Sequence, residues 1–71
     1  MQLETIENYC KNILAIDKGD GAKSVDIASS LGISKISVSI TLHKLLDEGY
    51  IDMKRYGRVK LTEKGKGIAK K

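Results

Sequence analysis

Residues 24–49 read SVDIASSLGISKISVSITLHKLLDEG and contain two helical patterns of apolar residues separated by a short turn. The first pattern is followed by Gly32, a residue suited to ending a helix. The second follows Ser34, a good N-cap, and stops at Gly49. Their apolar faces are formed by Ile27, Ala28 and Leu31 and by Val38, Leu42, Leu45 and Leu46, respectively. Two helices joined by a turn of three or four residues predict a helix-turn-helix.

The residues before this motif predict one more helix. Its apolar side chains recur every three or four positions and so form one stripe, made of Leu3, Ile6, Cys10, Ile13 and Leu14. Residues 17–21, DKGDG, have the composition of a turn and end this helix. Residues 22–24 are too few to classify by period and fit either a loop or a short strand, and Ser24 is expected to cap the next helix.

The residues after the motif predict a β-hairpin. Residues 50–54 (YIDMK) and 58–62 (RVKLT) alternate between apolar and polar side chains. The loop between them contains Gly57, which is suited to a positive φ angle.

A last helix is expected over residues 63–71, with Thr62 as its cap. Gly65 and Gly67 weaken this helix, so we expect it to fray. A hairpin directly after a helix-turn-helix is typical of a winged helix-turn-helix. The predicted fold is therefore mainly α with a small β-hairpin: a three-helix core plus a wing and a short C-terminal helix, with residues 1–71 as a single domain.

Length and composition exclude several classes of protein. A chain of 71 residues has no room for a two-domain enzyme with a deep cleft. Its single Cys excludes an internal disulfide and a cysteine zinc cluster. Hydrophobic residues make up 41% and charged residues 31%, without a run of 18 apolar residues or a signal-peptide pattern. We therefore expect a soluble, cytoplasmic protein without a membrane partner.

The charge is unevenly distributed along the chain. Residues 1–53 carry 5 basic and 8 acidic side chains, whereas residues 54–71 carry 8 basic side chains and one acidic one. The net charge of +4 therefore combines a mildly acidic part with a strongly basic end. Such an end favours an anionic partner, with nucleic acid first and an acidic membrane second.

The second helix of the motif, residues 34–48, is predicted to enter the major groove of double-stranded DNA. The candidate DNA contacts that lie on its outward side or at its N-terminal turn are Ser34, Lys35, Ile36, Ser37, Ser39, Ile40, His43 and Lys44. Outward-facing Ile36 and Ile40 would be explained by contact with thymine methyl groups. The alternatives are a protein interface or simple tolerance of an exposed Ile.

The wing, residues 54–60, gives the strongest electrostatic signal. Its candidate DNA contacts, on phosphates or in the minor groove, are Lys54, Arg55, Tyr56, Arg58 and Lys60. The alternative is a solvated strand edge, where Lys blocks edge pairing. The C-terminal lysines, which are Lys64, Lys66, Lys70 and Lys71, fit a phosphate-binding role and a solubilising tail equally well.

No catalytic or cofactor-binding arrangement is expected. Cys10 lies on an apolar stripe and is interpreted as a small core residue. His43 and Asp47 form only a weak metal signal, so no metal site is predicted.

Several segments resemble the N-terminal DNA-binding domain of the iron- and manganese-dependent repressors, the diphtheria toxin repressor-like family. The more particular matches are residues 7–9, 26–28 (DIA) and 61–65 (LTEKG). Residues that match winged-helix regulators more widely are 27–34, 38–39, Leu45, 49–51 and 59–65. The resemblance implies a DNA-binding transcriptional regulator.

Metal sensing is not implied, because this chain departs from the family at the metal site. In that family a first-helix side chain, often Asp or Met, joins the metal site, and Asn8 stands at the matching position here. Lys11 replaces a Glu that some members use, and a Lys beside a divalent cation is unfavourable. The family's remaining ligands come from a second helical domain that these 71 residues do not include. The chain is expected to be a short relative or an isolated domain of a longer protein.

One such domain makes few DNA contacts, so a homodimer on a pseudo-palindrome is expected, through the first or the last helix. A rival function is a protein-interaction module that uses Ile36 and Ile40 as anchors. Binding to RNA or single strands is a third, against which the shortage of aromatic residues counts.

Overall fold

The structure, a computed structural model, describes residues 2–54 and 57–70. Its elements are α1 Leu3–Ile16, β1 Ala22–Lys23, α2 Ser24–Leu31, α3 Lys35–Asp47, β2 Ile51–Met53, β3 Arg58–Leu61 and α4 Glu63–Ala69. The strands form one antiparallel sheet in the order β1-β3-β2. A helical core with a hairpin directly after a helix-turn-helix confirms the predicted winged helix-turn-helix.

The helix-turn-helix has the geometry that its glycine and its cap predict. The chain turns through 113° between α2 and α3. Gly32 adopts a left-handed conformation with φ 68°, and its N–H group bonds carbonyls at the end of α2. The Ser34 side chain accepts a hydrogen bond from the Ser37 N–H group and so caps α3.

One cluster of buried side chains joins the helices to the sheet. Its largest fully buried members are Ile13, Ile27, Leu42, Leu45, Ile51, Val38, Val59 and Cys10. Among the described residues, Tyr9 is the only buried aromatic side chain, so aliphatic packing dominates the core. Leu46, predicted to be buried, is only partly buried against this cluster.

The predicted stripe of α1 was wrong at both ends. Leu3 and Leu14 are 54% and 40% exposed, whereas Tyr9, which the stripe omitted, is 6% exposed. At 100° per residue, the buried side chains of α1 span an arc of about 100° from Tyr9 to Cys10. Leu3 and Leu14 lie just beyond the Cys10 edge of that arc, so neighbouring elements leave them uncovered.

The second correction concerns the start of α2. Residues 22–23 form a strand rather than a loop, and Ala22 and Lys23 pair with Val59 and Arg58 of β3. Ser24 is already the first helical residue, and Lys23 occupies the N-cap position without a side-chain cap. The prediction that Ser24 caps α2 was therefore wrong, because the pairing with β3 holds the chain extended up to Lys23.

The third correction concerns α4, whose glycines were expected only to weaken it. Thr62 caps α4 as predicted, since its side chain accepts a hydrogen bond from the Gly65 N–H group. Gly65 is buried against the backbone carbonyl of Tyr50, so closely that an added Cβ atom would collide with it. Gly65 therefore permits close docking of α4, whereas Gly67 faces open space.

The two glycines of α4 allow a matched stability test. We expect Gly65→Ala to destabilise the fold by about 2 kcal/mol, because the new Cβ must displace backbone. Gly67→Ala should instead stabilise it by about 0.5–1 kcal/mol, because it only restricts the unfolded chain and favours the helix. Urea unfolding followed by circular dichroism measures both values. Equal effects of the two substitutions would contradict the docking role of Gly65.

Candidate nucleic-acid interface

The outward side of α3 carries side chains that take no part in the core. Val38, Leu42 and Leu45 face inward and are buried. All eight residues predicted to contact DNA from this region are exposed: Ser34, Lys35, Ile36, Ser37, Ser39, Ile40, His43 and Lys44. Ile36 is 74% exposed and Ile40 is 56% exposed, the two largest exposed fractions among the large hydrophobic side chains of the described residues.

The N-terminal turn of α3 is more electropositive than those of the other helices. The first turns of α1, α2 and α4 contain Glu4, Asp26 and Glu63, respectively. The first turn of α3 contains no acidic residue and starts with Lys35. Because the positive end of its dipole is not offset by a carboxylate, this turn suits an approaching phosphate.

Ser34 and Ser24 offer a matched test of helix capping. We expect Ser34→Ala to destabilise the fold by about 1 kcal/mol, because it removes the acceptor for the Ser37 N–H group. Ser24→Ala should change the free energy of unfolding by less than about 0.5 kcal/mol, because Ser24 caps nothing. Thermal unfolding of both variants checks the difference. A larger loss from Ser24→Ala would contradict the assigned start of α2.

The hairpin strands carry the basic residues of the wing. The Lys54 N–H group donates to the Arg58 carbonyl at 2.6 Å and closes the strand pair next to the loop. Lys54 is exposed, whereas Arg58 and Lys60 are half-buried. Arg55 and Tyr56, the other predicted wing contacts, lie outside the described residues. Gly57 has φ 71°, as its position in the loop predicts.

The outer face of the sheet contains a basic residue that the sequence did not reveal. Lys23 on β1 pairs with Arg58 on β3, so both side chains lie on one face of the sheet. A depression of about 520 Å³ beside them is also lined by Lys18, Asp20 and Asp26. The only sequence signal for this placement was the short segment before α2, whose pairing partner was unknown.

Lys60 lies away from the hairpin loop and faces acidic neighbours. It pairs in register with Asp52 on β2. Asp17 accepts hydrogen bonds from the N–H groups of Gly19 and Gly21 at 2.7 and 2.9 Å. The Gly19 bond is the main cause that lowers the pKa of Asp17, and the charges of Lys60 and Lys66 lower it further. Lys60 therefore lies near carboxylates, which reduce the attraction that it offers to a phosphate.

Two of the C-terminal lysines make contacts within the domain. Lys64 Nζ donates to the Glu48 carbonyl at 2.8 Å and lies 4.4 Å from the centre of the Tyr50 ring. Lys66 Nζ lies 4.0 Å from a Glu63 oxygen, the only ion pair among residues 2–54 and 57–70. Lys64 therefore has a structural role, Lys70 is exposed, and Lys71 lies outside the described residues.

The side chains most suited to chemistry are not brought together. Cys10 is fully buried, and desolvation raises the pKa of its thiol, as expected of a core residue. His43 is exposed on α3. Within the part of the chain that the structure describes, no group of three or more His, Cys, Asp or Glu side chains can hold a metal ion.

No single helix of the described residues is long and apolar enough to cross a membrane. By length and composition alone, α2 and α3 pass that test only as a bent pair.

The fold and the exposed face of α3 define the class, a winged helix-turn-helix domain of the DNA-binding kind. The sequence matches the family described as "Iron dependent repressor, N-terminal DNA binding domain" over residues 1–59. The chain therefore belongs to this family of DNA-binding regulators. No curated protein matches the chain.

The described residues do not fit the iron that the family description implies. Asn8 and Lys11 are exposed on α1 and supply an amide and an ammonium group where a cation needs carboxylate or imidazole donors. Cys10, the one thiol, points into the core and is fully buried. The DNA-binding geometry of these residues is therefore described without a metal.

Proposed function

We propose that this protein is a transcriptional regulator that binds specific sites in double-stranded DNA. The observation that carries the proposal is the exposed side of α3, which holds polar, basic and apolar side chains free of core packing. In the proposed complex α3 lies in the major groove, with Lys35 and Ser37 toward base edges and Lys44 on a phosphate.

The wing is proposed to hold the adjacent backbone or minor groove. Lys54 and Arg58 supply most of the charge, together with Arg55 and Tyr56. Lys60 contributes less, because Asp52 lies opposite it and Asp17 lies nearby. Lys23 extends this basic face on its other side.

Ile36 and Ile40 are proposed to read thymine methyl groups. They are one helical turn apart, so both lie on the side of α3 that would enter the groove. Burying their apolar surface against 5-methyl groups would recover the cost of their exposure in the free protein. This contact would favour A·T pairs at the positions that they face.

The proposed regulator acts in the cytoplasm as a homodimer on a pseudo-palindromic site, without catalytic activity. A single domain of this size makes too few contacts for high specificity, whereas two copies double them.

The first experiment measures fluorescence anisotropy of a short random-sequence duplex titrated with protein at several salt concentrations. We expect micromolar binding that weakens steeply with salt, because each neutralised phosphate releases counterions. Lys44→Ala and Lys54→Ala should each reduce the slope of log K against log salt by about 1.

Lys66→Ala on α4, whose ammonium group lies 4.0 Å from a Glu63 oxygen, is the control, and it should leave that slope unchanged. Absence of binding at low salt would contradict the proposed function. It would favour instead a protein-interaction module that uses the exposed Ile36 and Ile40 as anchors.

The second experiment tests the methyl contacts on a site selected from random DNA. Replacing each contacted thymine by deoxyuridine should weaken binding about fourfold per methyl group, since one buried methyl contributes about 0.8 kcal/mol. Ile36→Ala should bind more weakly and lose part of this sensitivity to deoxyuridine. Val25→Ala, at an aliphatic position on α2 that is 52% exposed, should keep it. Equal sensitivity in all three proteins would contradict the assignment.

A further inference from the structure

The outer side of α1 has two apolar side chains that the other elements cover only in part. Leu3 and Leu14 are 54% and 40% exposed, whereas Ile6, Tyr9, Cys10 and Ile13 of the same helix are buried. They are 11 residues apart, which places them within about 20° of the same side of the helix and about 16 Å apart along it. The pair thus marks the two ends of one line on the surface of α1.

Two opposite charges lie between these leucines. Glu7 and Lys11 follow Leu3 at about 40° and 80° around the helix, so both lie on the same side of the line that joins the two leucines. Spacing of four residues allows an ion pair within α1. Glu7 and Lys11 do not form such a pair within 4.0 Å. The single ion pair of the described residues joins Lys66 to Glu63. Glu7 and Lys11 therefore remain available to partners outside the chain.

The order of these residues is self-complementary when the helix direction is reversed. An antiparallel copy can place Leu3 opposite the partner's Leu14. In this register, residues of the two helices face each other when their residue numbers add up to 17 or 18. The same register places Glu7 opposite the partner's Lys11. A two-fold axis repeats both contacts, which gives two Leu–Leu contacts and two ion pairs in an isologous interface.

Building on the homodimer of the proposed function, we propose that α1 is the surface through which two copies of this protein associate, as an antiparallel helix pair. A second copy fits better than an unrelated protein, because the order apolar, acidic, basic, apolar is complementary to the same order read backwards. Apolar residues then face apolar residues, and acidic residues face basic ones. Within the chain α1 packs mainly against α2, α4 and β3.

The interface is small, so the dimer is weak in the absence of DNA. One helix per copy buries area at the low end of specific interfaces, so we expect dimers only at high protein concentration. Two half-sites on one duplex would hold two copies at a high effective concentration and favour the same pairing.

Sedimentation velocity without DNA, over a protein range from about 10 µM to 1 mM, tests the proposal. Glu7→Lys and Lys11→Glu should each weaken dimerisation about tenfold, because each creates two like-charged pairs across the two-fold axis. The double variant E7K/K11E should restore it to within about threefold of the original. Circular dichroism checks that each variant is folded.

Matched substitutions elsewhere separate this surface from general effects of charge and hydrophobicity. Asp20→Lys, in an exposed turn, changes the net charge as Glu7→Lys does and should leave dimerisation unchanged. Leu14→Ala should weaken it, whereas Val25→Ala on α2 should not. A protein that stays monomeric at about 1 mM, or a double variant that fails to recover, would overturn the proposal. Neither result depends on whether the protein binds DNA.

Discussion

The arrangement of the wing relative to α3 depends on a junction formed by Gly49, Tyr50, Thr62 and Gly65. The Thr62 hydroxyl donates to the Gly49 carbonyl at 2.6 Å and accepts from the Gly65 N–H group at 3.2 Å. The Thr62 N–H group also donates to the Tyr50 carbonyl at 3.0 Å. One residue therefore ties the end of α3, the return strand of the hairpin and the start of α4. Because an unsatisfied carbonyl there would cost free energy, the junction fixes where the hairpin leaves α3.

Lys64 reinforces this junction from outside. Its ammonium group binds the Glu48 carbonyl and lies over the Tyr50 ring, so it satisfies a backbone group left free at the end of α3. A basic residue that the charge pattern groups with DNA-binding lysines thus has a local structural function.

The sequence predicted the elements that depend on local chemistry. Gly32, Ser34, Gly57 and Thr62 act as predicted because a cap or a positive φ requires only neighbouring residues. It failed where the outcome depends on distant partners. Strand β1 exists because β3 lies beside it, and Gly65 matters because the Tyr50 carbonyl approaches it. No periodicity within residues 22–24 or within α4 contains that information.

In the candidate interface, too, some features follow from the local sequence and others depend on residues distant in the chain. The exposure of Ile36, Ile40 and Lys44 follows from the helical period alone, since the core side of α3 is set by Val38, Leu42 and Leu45. The difference between the basic residues in how strongly they attract a phosphate does not follow from a sequence period. Lys60 and Arg58 are adjacent in the alternation of one strand, yet only Lys60 lies opposite an acidic residue.

The family's description names iron, but the features that favour DNA binding here are independent of a metal. The cap at Ser34, the acid-free first turn of α3 and the pairing of the wing strands involve no ligand group. In α1, Asn8 and Lys11 stand where the resemblance would place metal ligands, and Lys11 carries the charge that a cation disfavours. A positive charge on the outside of α1 is, however, the partner that Glu7 of a second copy requires. Lys11 thus argues against a metal site on α1 and, for the same reason of charge, favours the pairing of two copies through α1.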